Sequence, residues 1–235
     1  MKYSDLAGDA GRHGLVLRGG FTPRREDSVP AVRIGVPAKT LVLLGNAGSS
    51  MWQSFADSPE FADGAEDPLN RWSERIGNAL ASRWDGKALF PFGGPPYHPF
   101  IRWARKAEGL KESALGMLIH PEYGLWHAYR FAVALPVDVA GTGVDPTVRH
   151  ACDHCRDRPC LQVCPVGAFD GTRYDVESCF RYLEANPGSP CRKACRARNA
   201  CPEGTDFQYE TDHAAFHMEK FYRTLSRRGV TDPRI

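Results

Sequence analysis

The stretch CDHCRDRPCLQVCPVGAF, Cys152–Phe169, reads C-x2-C-x4-C-x3-C followed by Pro165. A second run, CRKACRARNACPEG from Cys191 to Gly204, reads C-x3-C-x5-C followed by Pro202, and Cys179 in YDVESCFRYLEA lies between the two. These are all eight cysteines of the chain, gathered within fifty residues with none before residue 152. Such short spacings let consecutive thiolates turn toward one centre, and eight ligands serve two four-thiolate centres with none left over. The chain is thereby divided into a cysteine-free part and a ligand-dense part.

Composition sets the frame for that reading. With 235 residues, 42% hydrophobic and 25% charged, the chain falls in the range of ordinary globular proteins and is long enough to bury a core without disulfides. Stability alone therefore does not explain the cysteines. A net charge of +2, with acidic and basic residues mixed along the chain, offers no broad electrostatic face for phosphates, so nucleic acid is not expected as a direct ligand. The N-terminus MKYSDLAGDAGRHGLVLRGGF lacks a signal-peptide core and no stretch approaches the length of an apolar span, which predicts a cytoplasmic protein with no membrane partner. In a reducing compartment an even cysteine count reads as metal ligation or catalysis rather than as a disulfide framework.

The first run is close to the C-x2-C-x2-C-x3-C-P pattern of bacterial two-cluster ferredoxins, with two extra residues before its third cysteine. In that pattern the last cysteine of each run, followed by proline, reaches the neighbouring cluster. The crossing rule assigns Cys152, Cys155, Cys160 and Cys201 to one 4Fe–4S cluster, and Cys164, Cys179, Cys191 and Cys195 to the other. The alternative is two four-cysteine zinc sites, but zinc ribbons usually present two C-x2-C knuckles separated by a longer gap. The basic residues in CRKACRARNAC sit among these ligands, where positive charge and backbone N–H groups stabilise anionic cubanes; a docking or RNA-contacting patch is the other reading.

Up to about residue 148 the pattern is that of mixed helix and strand. KTLVLLGNAG, closed by Gly45, Asn46 and Gly48, predicts a buried strand. DPLNRWSERIGNALASRW predicts a helix starting at Asp67 and Pro68, with Leu69, Trp72, Ile76, Leu80 and Trp84 on one face. KALFPFGGPPYHPFIRWARKAEG, rich in proline and glycine, predicts a loop, which is either a surface connection or a binding loop. LGMLIH and LWHAYRFAVALPVDV predict two strands joined by the turn HPEYG as a β-hairpin. VDVAGTGVDPTVR, Val137 to Arg149, is the expected linker, and Thr211 to Arg228 a closing amphipathic helix. On that helix His213 and His217 suit packing or surface roles better than metal ligation. The absence of a G-x-G-x-x-G or P-loop motif gives no sign of a nicotinamide or nucleoside-triphosphate site.

The stretch Leu115–Pro136 resembles the G-x-x-x-H-P-x-x-G-x-W-x-A-x-R segment of CblC-type cobalamin-trafficking chaperones, through Gly116, His120, Pro121, Gly124, Trp126 and Arg130. It is also similar to the corresponding hairpin of epoxyqueuosine reductases and reductive dehalogenases, in which a nitroreductase-like corrinoid domain precedes two ferredoxin runs. The intervening cysteine of those families stands in a C-x-S-Y-L context, which CFRYLE, Cys179 to Glu184, matches loosely. The resemblance spans roughly residues 40–202 and implies an α+β fold. A nitroreductase-like α/β domain with a mostly antiparallel sheet, 1–148, would be followed by a small ferredoxin-like two-cluster domain, 149–235. By the same match Tyr97, His98, Phe100, Leu118, His120, Tyr129 and Arg130 are the implied corrinoid contacts, and Arg130 corresponds to a residue implicated in glutathione use in the chaperones.

The resemblance thus implies an iron–sulfur redox protein that passes electrons from two 4Fe–4S clusters to cobalamin or a related corrinoid. The electrons would come from an external ferredoxin, flavodoxin or flavin reductase. The chain lacks the HEAT-like repeats of many epoxyqueuosine reductases, and no position matches their acidic proton donor or the paired Tyr and Lys/Arg of the dehalogenases, so no residue is assigned as catalytic. The competing readings are a ferredoxin-like electron carrier without corrinoid and a flavin-dependent reductase.

Overall fold

Thr40 to Ala47 forms the strand expected from KTLVLLGNAG, and every one of its residues is buried, as the apolar run requires. The computed structural model describes residues 2–142 and 150–229. Among them, strands follow in the order β1 (Val16–Phe21), β2 (Thr40–Ala47), β3 (Lys87–Leu89), β4 (Lys111–Glu112), β5 (Leu118–Ile119) and β6 (His127–Leu135). The helices are α1 (Tyr3–Gly11), α2 (Trp52–Ala56), α3 (Pro59–Ala62), α4 (Pro68–Arg83), α5 (Phe100–Glu108), α6 (Pro159–Gln162), α7 (Val176–Ala185), α8 (Arg196–Asn199) and α9 (Thr211–Arg228). The class is α+β with antiparallel strands, as expected.

The chain divides into two compact units, Met1–Leu110 with His127–Val148, and Lys111–Trp126 with Arg149–Ile235. This differs from two consecutive domains, 1–148 and 149–235, because residues 111–126 pack with the cysteine-rich part. Of the expected linker, residues 143–149 lie outside the described residues.

The first unit is built on an antiparallel sheet of order β1–β2–β6–β3. β2 and β6 run in register from Thr40 opposite Leu135 to Leu44 opposite Phe131, then slip by one residue so that Gly45 faces Tyr129. The skipped residue is Arg130, and such a bulge re-aims the side chains beside it. Glycine is required opposite it: a Cβ on Gly45 would lie 1.8 Å from the Ala128 carbonyl oxygen. α4 starts at Pro68 as its sequence predicts, and buries Leu69, Trp72, Ile76 and Leu80, with Trp84 just beyond its end. Each such side chain contributes about 1.5–3 kcal/mol on burial.

Two expectations are corrected here. The proline-rich segment is a loop only from Phe90 to Pro99, because Lys87–Leu89 pairs with β6 as β3 and Phe100–Glu108 is the helix α5. Its prolines stop at Pro99, the N-cap, so Phe100, Trp103, Ala104 and Ala107 recur at helical spacing and are buried; Gly109, in the left-handed conformation at φ 68°, ends the helix. Nor do β5 and β6 form a hairpin. β5 pairs with β4, Lys111 opposite Ile119 and Glu112 opposite Leu118, whereas β6 pairs with β2 and β3. The turn between them is closed by its own bridge between His120 and Gly124.

The second unit has short helices and long connections. Gly124 belongs to it, at φ 55°, and a Cβ there would meet the Glu203 carbonyl oxygen at 2.0 Å, so the HPEYG turn lies directly against the backbone after Cys201. Asp175 caps α7 by accepting the Ser178 N–H at 3.0 Å, which starts that helix three residues before Cys179. α9 spans Thr211–Arg228 as its periodicity predicts, and packs on α7 and on the turn holding Cys191. There the Arg192 guanidinium sits 3.5 Å from the centre of the Tyr222 ring. No helix among the described residues is long and apolar enough to cross a membrane.

Candidate metal centre

One buried cluster of the second unit consists of Leu115, Ile119, Leu125, Cys160, Ala197 and Cys201, two of them thiols. A small cavity opens on this core. Its walls include Cys152, Cys155, Cys160 and Cys201 together with Leu115, Ile119 and Leu125. Arg158 and Glu203 are the charged residues of its lining. Cys201 thus comes from the second sequence run and the other three cysteines from the first, which is the grouping that the crossing rule predicts. Each element has a local cause. Pro159 starts α6 and puts Cys160 in its first turn, while Pro202 turns the chain away after Cys201.

Electrostatics separates the same two sets. Burial pushes the Cys160 thiol up, and the neighbouring Cys152 and Cys155 add to it. Cys201 is likewise raised by burial and then by Cys160 and Cys152, against a backbone N–H from Glu203. In the second set burial pushes Cys179 up to about 11, opposed by a hydrogen bond from the Tyr174 hydroxyl and reinforced by Cys195, Cys164 and Cys191. Cys195 is raised mainly by burial while accepting N–H groups of Arg198 and Ala197, and the Cys164 sulfur accepts the Ala168 N–H at 3.3 Å. Clustered thiols whose protons are held by burial and mutual repulsion ionise readily only when a cation supplies the opposing charge.

The donor set fits an iron–sulfur cluster. In the first set it consists of sulfur around a small cavity walled in part by Leu115, Ile119 and Leu125, with backbone N–H groups on Cys160 and Cys201, and the second set has backbone N–H groups on Cys164 and Cys195, which is how proteins stabilise anionic cubanes. Among the described residues no three His, Cys, Asp or Glu side chains gather closely enough to hold a single metal ion.

The implied corrinoid contacts are scattered. Leu118 and His120 belong to the second unit, and Tyr97, His98, Phe100, Tyr129 and Arg130 to the first. A cleft of about 280 Å³ in the first unit is lined by Glu74, Lys87, Phe90, Phe92 and His98 among others, and His98 is the one implied contact in it. That volume is at the low end for a ligand site and far below what encloses a macrocycle. Tyr97 is exposed, while Phe100 is buried against Trp103, with which His98 also stacks. His120 Nδ1 accepts the N–H groups of Glu122 and Tyr123, both at 3.1 Å, and its ring stacks on Tyr123 at 4.1 Å. That is the work of a turn residue. Arg130 reaches the start of α4, donating to Ser73 Oγ at 3.0 Å, Asn70 Oδ1 and the Leu69 carbonyl. Two of the seven thus fall in one unit and five in the other, and no step through a corrinoid is assigned to them.

Sequence reasoning misses a buried polar network in the first unit. Arg18, fully buried in β1, donates two hydrogen bonds of 2.9 Å to the Glu108 carboxylate, one to the Asn46 carbonyl and one to His127 Nδ1. Tyr129 donates its hydroxyl to Glu108, and Arg18 lies over its ring. Burial keeps the Tyr129 phenol protonated. No local signal points to this network, because its members come from β1, β2, α5 and β6. Trp126 and His213 are buried packing residues: the indole lies beside Tyr209, and His213 stacks on Tyr209 at 4.0 Å.

The described residues thus define an α+β protein with a four-stranded antiparallel sheet and a separate cysteine-rich unit. No protein-family model matches the chain, and no curated protein matches it. Among solved structures it is similar to the C. elegans B12-trafficking protein CblC, a homologue of human MMACHC, with a TM-score of 0.51 and 12% identity over 93% of this chain and 91% of that one. Epoxyqueuosine reductase from Bacillus subtilis aligns at a TM-score of 0.46 and 16% identity, over 88% of this chain and 66% of that one. An epoxyqueuosine reductase solved with an epoxyqueuosine-modified tRNA-Tyr stem loop gives 0.46 and 17% over the same shares. The chain spans just under two-thirds of the length of these reductases. The expected likeness in fold to CblC is borne out by the first of these alignments.

Proposed function

We propose that the chain is an iron–sulfur redox protein whose two cysteine sets each hold a 4Fe–4S cluster, and that its electrons go to a corrinoid bound in the N-terminal part, residues 1–148. The observation that carries the cluster reading is the cavity lined by Cys152, Cys155, Cys160 and Cys201, residues that two separate sequence runs contribute. The corrinoid part is supported by the motif residues Gly116, His120, Pro121, Gly124, Trp126 and Arg130, and by a fold shared with a B12-trafficking protein. When bound, the clusters supply one-electron transfer and the cobalt centre the bond chemistry.

The protein's own part is positioning and shielding. Leu115, Ile119 and Leu125 exclude water from the first thiol set, and backbone N–H groups of Glu203, Ala168, Ala197 and Arg198 offset negative charge on the sulfurs. An external ferredoxin, flavodoxin or flavin reductase supplies the electrons. The product is either a processed cobalamin or a separate reduced substrate. A second reading, an electron carrier without corrinoid, is favoured by one observation: the first unit's cleft of about 280 Å³ has His98 as the one implied contact in its lining.

Anaerobic purification and reconstitution, with iron, sulfide, zinc and cobalt analysis, tests the first part. A cob(II)alamin titration followed by absorbance and EPR tests the second. About eight irons with matching sulfide and a changed cobalt spectrum are expected. About eight irons with an unchanged cobalt spectrum leave the electron carrier, and about two zincs without sulfide overturn the cluster reading.

A further inference from the structure

The cleft of about 280 Å³ in the first unit is too small for a macrocycle, yet its walls are fixed by packing. Phe90, directly after β3, packs on the Phe131 ring at 6.1 Å and on the bare backbone of Gly77, where an added Cβ would meet it at 2.9 Å. Phe92 stacks on Phe90 at 5.2 Å and 30°, and His98 stacks at 5.4 Å and 27° on Trp103, which is fully buried in α5. All three rings, Phe90, Phe92 and His98, are half-buried and line the cleft. Burial and then the Lys87 ammonium hold His98 below the usual imidazole range, so its ring is uncharged at neutral pH.

Two exposed charges of opposite sign stand at the same cleft, Glu74 of α4 and Lys87 of β3. Their charged neighbours along the chain are paired: Arg71 with Asp63, Arg75 with Glu60, Arg83 with Asp9 and Asp85 with Arg33. Among the described residues the side chains of Glu74 and Lys87 make no ion pair and no hydrogen bond. The two charges left over between Arg71 and Lys87 are thus the two that line the cleft.

We propose that this cleft binds a free aromatic amino acid, with its ring against Phe90 and Phe92, its carboxylate on Lys87 and its ammonium on Glu74. The ligand class follows from the walls. An aliphatic acid would leave the ring faces uncovered, a polyphosphate would meet one cation and be repelled by Glu74, and an uncharged aromatic would leave both charges unanswered. A one- or two-ring amino acid also suits a cleft at the low end of ligand-site volumes. Because packing already fixes Phe90 and His98, little ordering is needed on binding. The inference goes beyond the redox reading and does not depend on it.

The test is isothermal titration calorimetry of the full chain with L-phenylalanine and L-tryptophan, and with three analogues. Tryptamine lacks the carboxylate, indole-3-propionate lacks the ammonium, and L-leucine lacks the ring. One amino acid bound per chain is expected, with each analogue weaker by about tenfold or more. Lys87→Gln should weaken the amino acid about tenfold and leave tryptamine unchanged, whereas Glu74→Gln should weaken it and leave indole-3-propionate unchanged. Both positions are exposed, and far-UV circular dichroism confirms that the variants keep their fold. No binding of either amino acid at millimolar concentration would overturn the inference. So would L-leucine binding as well as the aromatic pair, or variants that weaken every ligand alike.

Discussion

The two units solve the problem of stability in opposite ways. The first buries the whole of β2 and the inner faces of α4 and α5, in an antiparallel sheet paired without any cofactor. In the second, two of the six side chains of one buried cluster are thiols, and helices of four residues such as α6 and α8 surround them. Helices that short gain little from their own hydrogen bonds and depend on what they pack against. On the proposed function, apolar burial supplies the folding energy of the first unit, and a ligand that holds the cysteines together adds to that of the second.

The largest effect expected of this contrast is on removal of the metal. Anaerobic chelation should abolish amide-exchange protection in α6, α8 and the cysteine turns while leaving β2 and β6 protected. Equal loss in both regions would break the comparison. A step down in size, Cys160→Ala and Cys201→Ala should each remove about half of the iron, and the double variant should remove no more than either single one. The two residues come from different runs but one cavity, so additive losses in the double variant would show that the crossing assignment is wrong.

In the first unit the weakest point to perturbation is polar. Glu108→Ala leaves the fully buried Arg18 guanidinium without its carboxylate partner and should cost about 3–5 kcal/mol in denaturant unfolding, with Glu108→Gln recovering part of it. A cost near zero would mean that water or a rearranged Asn46 contact replaces the carboxylate. The smallest effect concerns acid. Asp9 accepts hydrogen bonds from the Trp84 indole at 3.0 Å and from Arg12 and Arg83, which hold its carboxyl down at about 2. Its folded-state value lies below the unfolded one, so its contribution is present above pH about 4 and is lost as the pH falls toward about 2. Asp9→Asn should therefore flatten the acid limb of the first unit's stability profile in that window and leave the neutral region nearly unchanged; an unchanged acid limb would remove Asp9 from the account.

Much of this molecule is legible from short stretches. The apolar run Leu41–Leu44, closed by Gly45 and Asn46, reads as a buried strand, and Asp67-Pro68 followed by apolar residues at helical spacing sets the start and inner face of α4. Cysteine spacing and the two closing prolines point to the grouping of the thiols, because ligand spacing is a local covalent constraint on which sulfurs can face one centre. Glycines conceal β1, where Gly19 and Gly20 interrupt the alternation, and the density of proline in 91–99 hides the helix that follows it.

What the sequence by itself determines is therefore whatever neighbours in the chain can specify: the period of a strand or helix, the punctuation of prolines, and the spacing of ligands. Only the tertiary structure decides that β6 pairs with β2 and β3 rather than with β5, and that residues 111–126 join the cysteine-rich unit. The same holds for Arg18, Glu108 and Tyr129, which meet from three separate elements. An alternating or apolar strand carries the information that it must be buried but not which edge will receive it. That choice is made by the packing of the whole chain, in which distant segments compete for the same surface.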